Sequence, residues 1–389
     1  LGTATTLGLS AWTQRNRTDF DSTSDGPATT HEEDARSEAW QASMRHALAD
    51  VWTLSAKVGQ ATEESENVSS LASSFNNGRF ESRSRTAQLQ ADAQLAERVT
   101  ALLGLEYLDQ RGASTSYDPA FRSVLTEFGR HVTSAWFGVT GRTPGAGTHS
   151  VQISVRHDDY SDVGDTDTWL VAYGYALTPR LRATAQASTA FRAPSFNDLY
   201  FPGFGNPALS PERAESAELG LRYANAGARA SLAWFKTRTR DLIQFSGTQV
   251  QNVARATAEG VELSAEVRRG PWQLQGNATY LDARDESTDQ PLVRRAQWTA
   301  NLGAFHDQGR WRLGGEVSWV DARDDFDINT FARKTLPAYT LVRAVAQFKV
   351  TAHLSLKLRA ENLLDERYTL VDGYNTWGRA LFGGIEWRL

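Results

Sequence analysis

The sequence predicts an all-β chain: an antiparallel, up-and-down β-barrel that crosses a membrane on its strands. Three observations lead there. First, apolar and polar residues take alternate positions from one end of the 389 residues to the other, and side chains on a strand point to opposite faces in turn. Second, many of the alternating segments run to a dozen residues or more. That exceeds the five or six usual in globular proteins and suits a tilted bilayer crossing, which takes roughly nine to eleven. Third, tight connections alternate with long polar ones.

In chain order about eighteen strands are expected: 3–15, 36–48, 51–64, 81–93, 97–110, 124–140, 147–158, 167–177, 181–191, 213–223, 228–240, 249–268, 271–283, 293–305, 309–321, 338–350, 353–364 and 378–389. The clearest show both faces at once. Trp272, Leu274, Ala278 and Tyr280, with Gly276 in the same row, alternate with Gln273, Gln275, Asn277 and Thr279. Leu354, Leu356, Leu358 and Ala360 alternate with Ser355, Lys357, Arg359 and Glu361. Tight links fall at 48–50, 96–98, 178–180, 225–228, 269–271, 306–309 and 351–352, and long polar ones at 14–35, 65–80, 111–123, 159–166, 192–212, 284–292, 322–337 and 365–377. In a meander every second connection lies at the same end. The long loops therefore share one rim and the turns the other, as in an outer-membrane barrel. A soluble β-sandwich does not sort its loops by length in this way, and a propeller repeats every forty to fifty residues; the sequence shows no such repeat.

No window approaches the eighteen or so apolar residues of a membrane helix. A mean hydropathy of −0.46 is compatible with strands that show lipid only alternate residues. The absence of cysteine excludes disulfides, thiolate metal sites and cysteine nucleophiles. A net charge of −5 leaves no basic footprint for nucleic acid. The seven histidines are scattered without metal-ligand spacing. His157 beside Asp158 and Asp159 is the one pairing that points to acid–base chemistry, but no serine in a strained turn accompanies it; no enzymatic activity is expected. The run Asp158, Asp159, Asp162, Asp165 and Asp167 reads as a hydrated outer loop before it reads as a calcium site. The chain opens without a basic-then-apolar leader and already inside strand-like sequence, so upstream residues are expected to be missing. At its other end Leu381, Gly383, Ile385, Trp387 and Leu389 form a row for lipid, while Glu386 and Arg388 face a wet lumen, because charge does not face hydrocarbon cheaply.

Three stretches carry more specific text. "TAFRAPSFNDLYFPGFGNPALSPERAESAELGLRY" (189–223), "EGVELSAEV" (259–267) and "ENLLDERYT" (361–369) stand in order at strand junctions, and together they resemble the TonB-dependent receptors of the outer membrane. Asn206, Pro207, Leu209, Pro211, Glu212, Glu218 and Gly220 match the pattern of the first stretch. "NRTDFDS" (16–22), "YLDARDESTDQPLVRRAQ" (280–297) and "DGYNTWGRALF" (372–382) are most similar to the cobalamin (vitamin B12) receptors within that superfamily. The resemblance implies a monomeric 22-stranded barrel closed around an N-terminal plug, with a segment before the plug that engages TonB. Residues 1–389 then form the barrel domain alone, with the plug and the first four strands absent, an open edge, and outer-membrane lipid around the wall.

The resemblance also implies site residues. Arg294 matches a ligand-contacting arginine, whose guanidinium offers several donors to the amide and phosphate oxygens of cobalamin; the competing reading is a rim ion pair with Asp285 or Glu286. Ser22 and Gly78 align with loop contacts, and Ile328 stands where the family has a tyrosine, which puts that contact in doubt. Asp21, the Phe20 carbonyl and Glu32 match part of a calcium site, although Ca²⁺ takes six to eight oxygens and this loop supplies too few alone. The expected function is active uptake of cobalamin, with a siderophore or haem receptor, or a passive porin, as the alternatives.

Overall fold

The computed structural model describes residues 4–20, 29–72, 74, 76–116, 124–145, 148–201, 205–246 and 249–388. Its strands in chain order are β1 (Thr5–Phe20), β2 (His31–Ala49), β3 (Trp52–Ser69), β4 (Gly78–Ala96), β5 (Val99–Ser116), β6 (Val124–Arg142), β7 (His149–Tyr160), β8 (Gly164–Ala176), β9 (Leu181–Arg192), β10 (Glu212–Ala224), β11 (Ala228–Ser246), β12 (Gln249–Arg269), β13 (Trp272–Asp285), β14 (Gln290–Pro291), β15 (Trp298–Gln308), β16 (Trp311–Val320), β17 (Arg323–Phe326), β18 (Arg333–Leu336), β19 (Tyr339–Lys349), β20 (Leu354–Glu361) and β21 (Ala380–Trp387). One short helix, α1 (Phe196–Tyr200), lies between β9 and β10. Nineteen strands make a single sheet, and β17 and β18 pair separately. Each long strand pairs antiparallel with the next, so the eighteen crossings expected from the alternation stand in the expected order. Among the described residues β1 and β21 are the sheet's two edges and are not paired with each other.

Register brings the apolar rows together across the sheet. Leu89 lies opposite Leu105, Leu103 opposite Phe137, Phe137 opposite Val155, and Val155 opposite Trp169. These residues do not pack into an interior. Leu105 is 56% exposed, Leu302 64% and Ile385 77%, whereas the buried cluster of Leu199, Leu209 and Ile243 sits beneath a loop. A β-sandwich hides such rows between its sheets; this sheet presents them outward, where only acyl chains cover them at no cost. Aromatic rings bound the band. Tyr280 and Trp298 meet at 5.0 Å toward the loop rim, and Trp272 with His306 and Trp311 with Phe348 meet at 4.5 Å toward the turn rim. From Trp272 to Tyr280 the strand climbs about 26 Å, which a tilted strand brings close to the apolar band of roughly 25 Å that outer-membrane barrels carry.

The opposite face is polar. Glu316 and Glu361 flank Arg343, Lys357 bonds Glu386 at 3.2 Å, and Arg156 joins Glu106 at 3.0 Å. Glu386 and Arg388 thus stand in the lumenal row, as the alternation predicts. Two glycines let large rings lie flat on this wall: a Cβ on Gly104 meets Trp136 at 2.1 Å and one on Gly260 meets Phe235 at 2.7 Å. In Gly260 the second family stretch therefore keeps a packing residue rather than a chemical one.

Four expected loops are partly strand. Within 14–35, 65–80, 111–123 and 159–166 the hairpin strands continue over 14–20, 31–35, 65–69, 78–80, 111–116, 159–160 and 164–166. Beyond the aromatic belt both faces meet water, so the apolar alternation that marks a strand disappears while its hydrogen-bonded ladder continues. Cross-strand ion pairs take over there, such as Arg15 with Asp34 and Arg79 with Glu64, each at 2.5 Å. The acidic run 158–167 is corrected in the same way: Asp158, Asp159, Asp165 and Asp167 lie on β7 and β8, and only Asp162 is in the turn. Conversely, the strand expected over 293–305 starts at Trp298, leaving Arg294 in the preceding loop.

Leu302 marks mid-band between Trp298 and His306. Leu302→Arg is expected to destabilise the full-length protein by about 2–4 kcal/mol in lipid, while Asn301→Arg on the adjacent lumenal position stays within about 1 kcal/mol. Urea unfolding in vesicles distinguishes them.

Candidate outer-rim site

The loop rim is built from interlocked connections, each held by side chains that replace backbone ladder bonds. Between β9 and β10, Ser195 caps α1 through its hydroxyl while Asp198 returns a bond to the Ser195 N–H, a reciprocal capping box. Asn206 donates to the Val250 carbonyl at 3.0 Å, and Asn252 both accepts from the Ser210 N–H and donates to the Ser210 carbonyl at 2.8 Å. Glu212 accepts from Arg192 at 2.6 Å and from the Ile243 N–H at 2.8 Å. Leu199 and Leu209 close over Ile243. The residues that make 189–223 distinctive thus dock this loop onto the β11–β12 hairpin. From the other side Arg130, which is buried, donates to Asp162 and to the Pro194 carbonyl and lies between the Tyr160 and Phe196 rings at 5.5 and 5.0 Å.

A second assembly joins the β13–β15 loop, the β17–β18 hairpin and the β20–β21 loop. Asp325 is its centre and has no exposed surface. It accepts from Arg294 Nε at 2.8 Å, from the Phe326 N–H at 2.8 Å and from the Asp372 N–H at 2.8 Å. Arg294 is half exposed, adopts a left-handed φ of +60°, and donates its N–H to the Asp324 carbonyl at 2.6 Å. Such a conformation is uncommon away from glycine. Asp372 in turn accepts from Lys334 at 2.8 Å and from the Ile328 N–H at 3.0 Å. Ile328 packs on Gly373, whose φ is +83° and where a Cβ meets Ile328 at 2.8 Å. Arg323, buried, reaches the carbonyls of Thr369 and Leu370. Below, Asn362 bonds the carbonyl and N–H of Glu366 at 2.9 Å, which makes the third family stretch a turn that aims this loop.

Arg294 and Ile328 are therefore brought into one assembly, through Asp325 and Asp372. The ion pair expected with Asp285 or Glu286 is not the one formed: Asp285 accepts from Ser287 and Glu286 from Thr257. Asp325 takes Arg294 instead, because the β17–β18 hairpin folds back over the preceding loop. Gly78 begins β4 opposite Asn67 and Ser116. Ser22 and Asp21 lie outside the described residues. Phe20 closes β1, where its ring stacks on His31 at 5.1 Å, and Glu32 is ion-paired with Arg17. Among the described residues no three His, Asp or Glu side chains converge as metal ligands.

The carboxylates of this assembly are held in the charged form. Burial pushes Asp325 upward, but the N–H of Asp372, the Arg294 guanidinium and the N–H of Phe326 outweigh it and leave its pKa lowered. Lys334 and the Ile328 N–H lower Asp372, the N–H groups of Thr330 and Asn329 lower Asp327, and Asp372 raises Lys334. A depressed carboxylate contributes stability above its unfolded value and loses it as pH falls through the folded one. Segments 322–337 and 365–377 are therefore expected to resist proteolysis at neutral pH and to open together below about pH 4, before the barrel itself unfolds.

The likenesses agree with this geometry. The sequence model of the TonB dependent receptor-like β-barrel family matches residues 2–363. The vitamin B12 transporter BtuB of Photobacterium profundum is 32% identical over 244 residues, 60% of this chain and 40% of its own length. BtuB of Vibrio cholerae is 34% identical over 243 residues, 61% of this chain and 40% of its own. The chain thus spans well under half of those relatives. Among solved structures, a mutant of the ferric enterobactin receptor PfeA from Pseudomonas aeruginosa superposes with a TM-score of 0.77 at 18% identity, covering 98% of this chain and 70% of that one. A variant of the FrpB iron transporter from Neisseria meningitidis gives 0.81 at 14%, covering 99% and 69%. The chain belongs to the TonB-dependent receptor family and is part of its outer-membrane β-barrel.

Proposed function

We propose that this chain is the barrel wall and outer vestibule of a TonB-dependent transporter for cobalamin. One observation carries the reading. The relatives at 32–34% identity are vitamin B12 transporters, and the arginine that the likeness assigns to the ligand is held ready at the rim, its backbone and guanidinium both bonded to the β17–β18 hairpin. A half-exposed guanidinium clamped at one nitrogen is oriented before a ligand arrives, so less side-chain freedom is lost on binding. Its donors suit the amide and phosphate oxygens that fringe cobalamin. Uptake then runs on energy supplied through TonB, with the wall described here as the fixed frame. Calcium held by Asp21, the Phe20 carbonyl and Glu32 is part of the same proposal and requires Glu32 to exchange Arg17 for the ion.

Equilibrium binding of cyanocobalamin to the full-length protein, with calcium present, tests the cargo. Specific binding is expected, with Arg294→Ala weakening it about tenfold, the loss expected for a charge-assisted hydrogen bond. Asp325→Ala is expected to weaken it comparably, because it frees Arg294. Failure to bind cyanocobalamin together with tight binding of a ferric siderophore or haem gives the cargo to that class. Free permeation of small sugars in liposome swelling makes the chain part of a passive pore.

A further inference from the structure

The lumenal face of the sheet is not uniform. On β16, β19, β20 and β21 the alternation turns Arg312, Glu316, Arg343, Lys357, Arg359 and Glu386 inward. From β9 to β12 it turns Arg182, Glu218, Arg222, Arg229 and Glu266 the same way. The arc formed by β1 to β4 differs. Lumenal Glu106 on β5 stands opposite Gln88, which fixes the inward parity of β4 and, through the register, that of β3, β2 and β1. One inward row then holds Trp12, Ala39, Ala61 and Ser84, and the next holds Ser10, Gln41, Gly59 and Thr86. Neither contains a charge. Lys57 bounds this neutral stretch toward the turn rim and Glu63 toward the loop rim, about 20 Å apart along β3.

The same stretch is hollow. A groove of about 460 Å³ lies on it, lined from the lumenal face by Trp12, Ala39, Gly59, Ala61, Thr86 and Gln88. Short side chains make the hollow, and Gly59 contributes none: a Cβ there would meet the Trp40 carbonyl at 2.9 Å. Trp12 stands over these small neighbours 53% exposed. Its indole faces away from lipid, so the aromatic belt gives it no role.

We infer that this neutral groove is the track along which cargo moves down the barrel wall, an inference that rests on the uptake reading above. Passage needs contacts favourable enough to admit a solute and weak enough to release it. Hydrogen bonds to ionised groups are roughly twice as strong as those between neutral ones, so a solute fringed with amide and phosphate oxygens is gripped by the charged arcs. Over β1 to β4 it meets only hydroxyls, amides and small apolar groups. Ser10, Gln41, Thr86 and Gln88 offer neutral donors in succession, and Trp12 offers a flat face to slide across. The rim captures through charge, and this arc lets go.

The test uses the full-length protein in energised cells, with radiolabelled cyanocobalamin as the probe, and reads uptake rate and equilibrium binding separately. Thr86→Lys, which sets a charge in the track, is expected to slow uptake about tenfold and to leave binding unchanged. Ala61→Trp, which fills the groove, is expected to do the same. Asn277→Lys, on the lumenal face of β13, is expected to change neither. A slowing by Asn277→Lys equal to that of the track variants overturns the inference, because any lumenal charge then acts alike. Loss of binding in step with uptake also overturns it, since the groove is then a binding site. If Ala61→Trp does not fold, Thr86→Lys decides alone. A wild-type protein that neither binds nor takes up cyanocobalamin overturns the cargo reading and the track with it, whereas wild-type uptake with unimpaired track variants overturns the track alone.

Discussion

The structure rests on one constraint: inside hydrocarbon a backbone N–H or C=O has no water to bond, so every one must be paired within the protein. An antiparallel meander meets it with ladders between neighbours, and here the ladders run unbroken from β1 to β21 apart from a few bulges. Once the ladder is fixed, period two does the rest. Each residue is committed to lipid or lumen by its parity, and a slip of one position exchanges the faces along a whole strand. The large apolar residues are therefore mostly exposed, which in water marks a misfolded protein and here marks the bilayer.

Above the belt the same backbone obeys different rules. Water is present on both sides, and hairpins persist through cross-strand ion pairs and side-chain bonds to loop carbonyls. This is where separate loops are joined. Asp325 shows how: a fully buried carboxylate with three donors from three connections turns separate loops into one body. Burial of that charge is tolerable only because its partners are complete, and the completeness fixes Arg294 in position. Arg130, sandwiched by Tyr160 and Phe196 while bonded to Asp162 and the Pro194 carbonyl, serves the β9–β10 loop in the same manner.

The two surfaces of the rim have divergent chemistry although they share strands. Inward and upward, charged groups are paired and aimed by neighbours, as Arg294 is by Asp325. Outward over β10 to β13, Arg213 and Arg238 have no carboxylate partner among the described residues. The parity that sorts lipid from water in the membrane thus continues to sort partners outside it.

Strand number, order and facing were legible in the sequence, because alternation is a local property that the pleat converts directly into two faces; the terminal row Leu381, Gly383, Ile385 and Trp387 illustrates it. The family stretches were also legible, and the structure gives them packing and turn roles in Asn206, Gly260 and Asn362. The hairpin extensions and β17–β18 were not, since strands wetted on both faces carry no apolar period, and α1 left only the short Ser195–Asp198 capping signal. Nor was the partner of Arg294, which sits next to Asp285 and Glu286 in reach of sequence but bonds Asp325, thirty-one positions on. Sequence determines which face a residue takes, because that follows from counting along one strand. Which loop residues meet is decided by tertiary structure alone, because it depends on how separate connections fold over the rim.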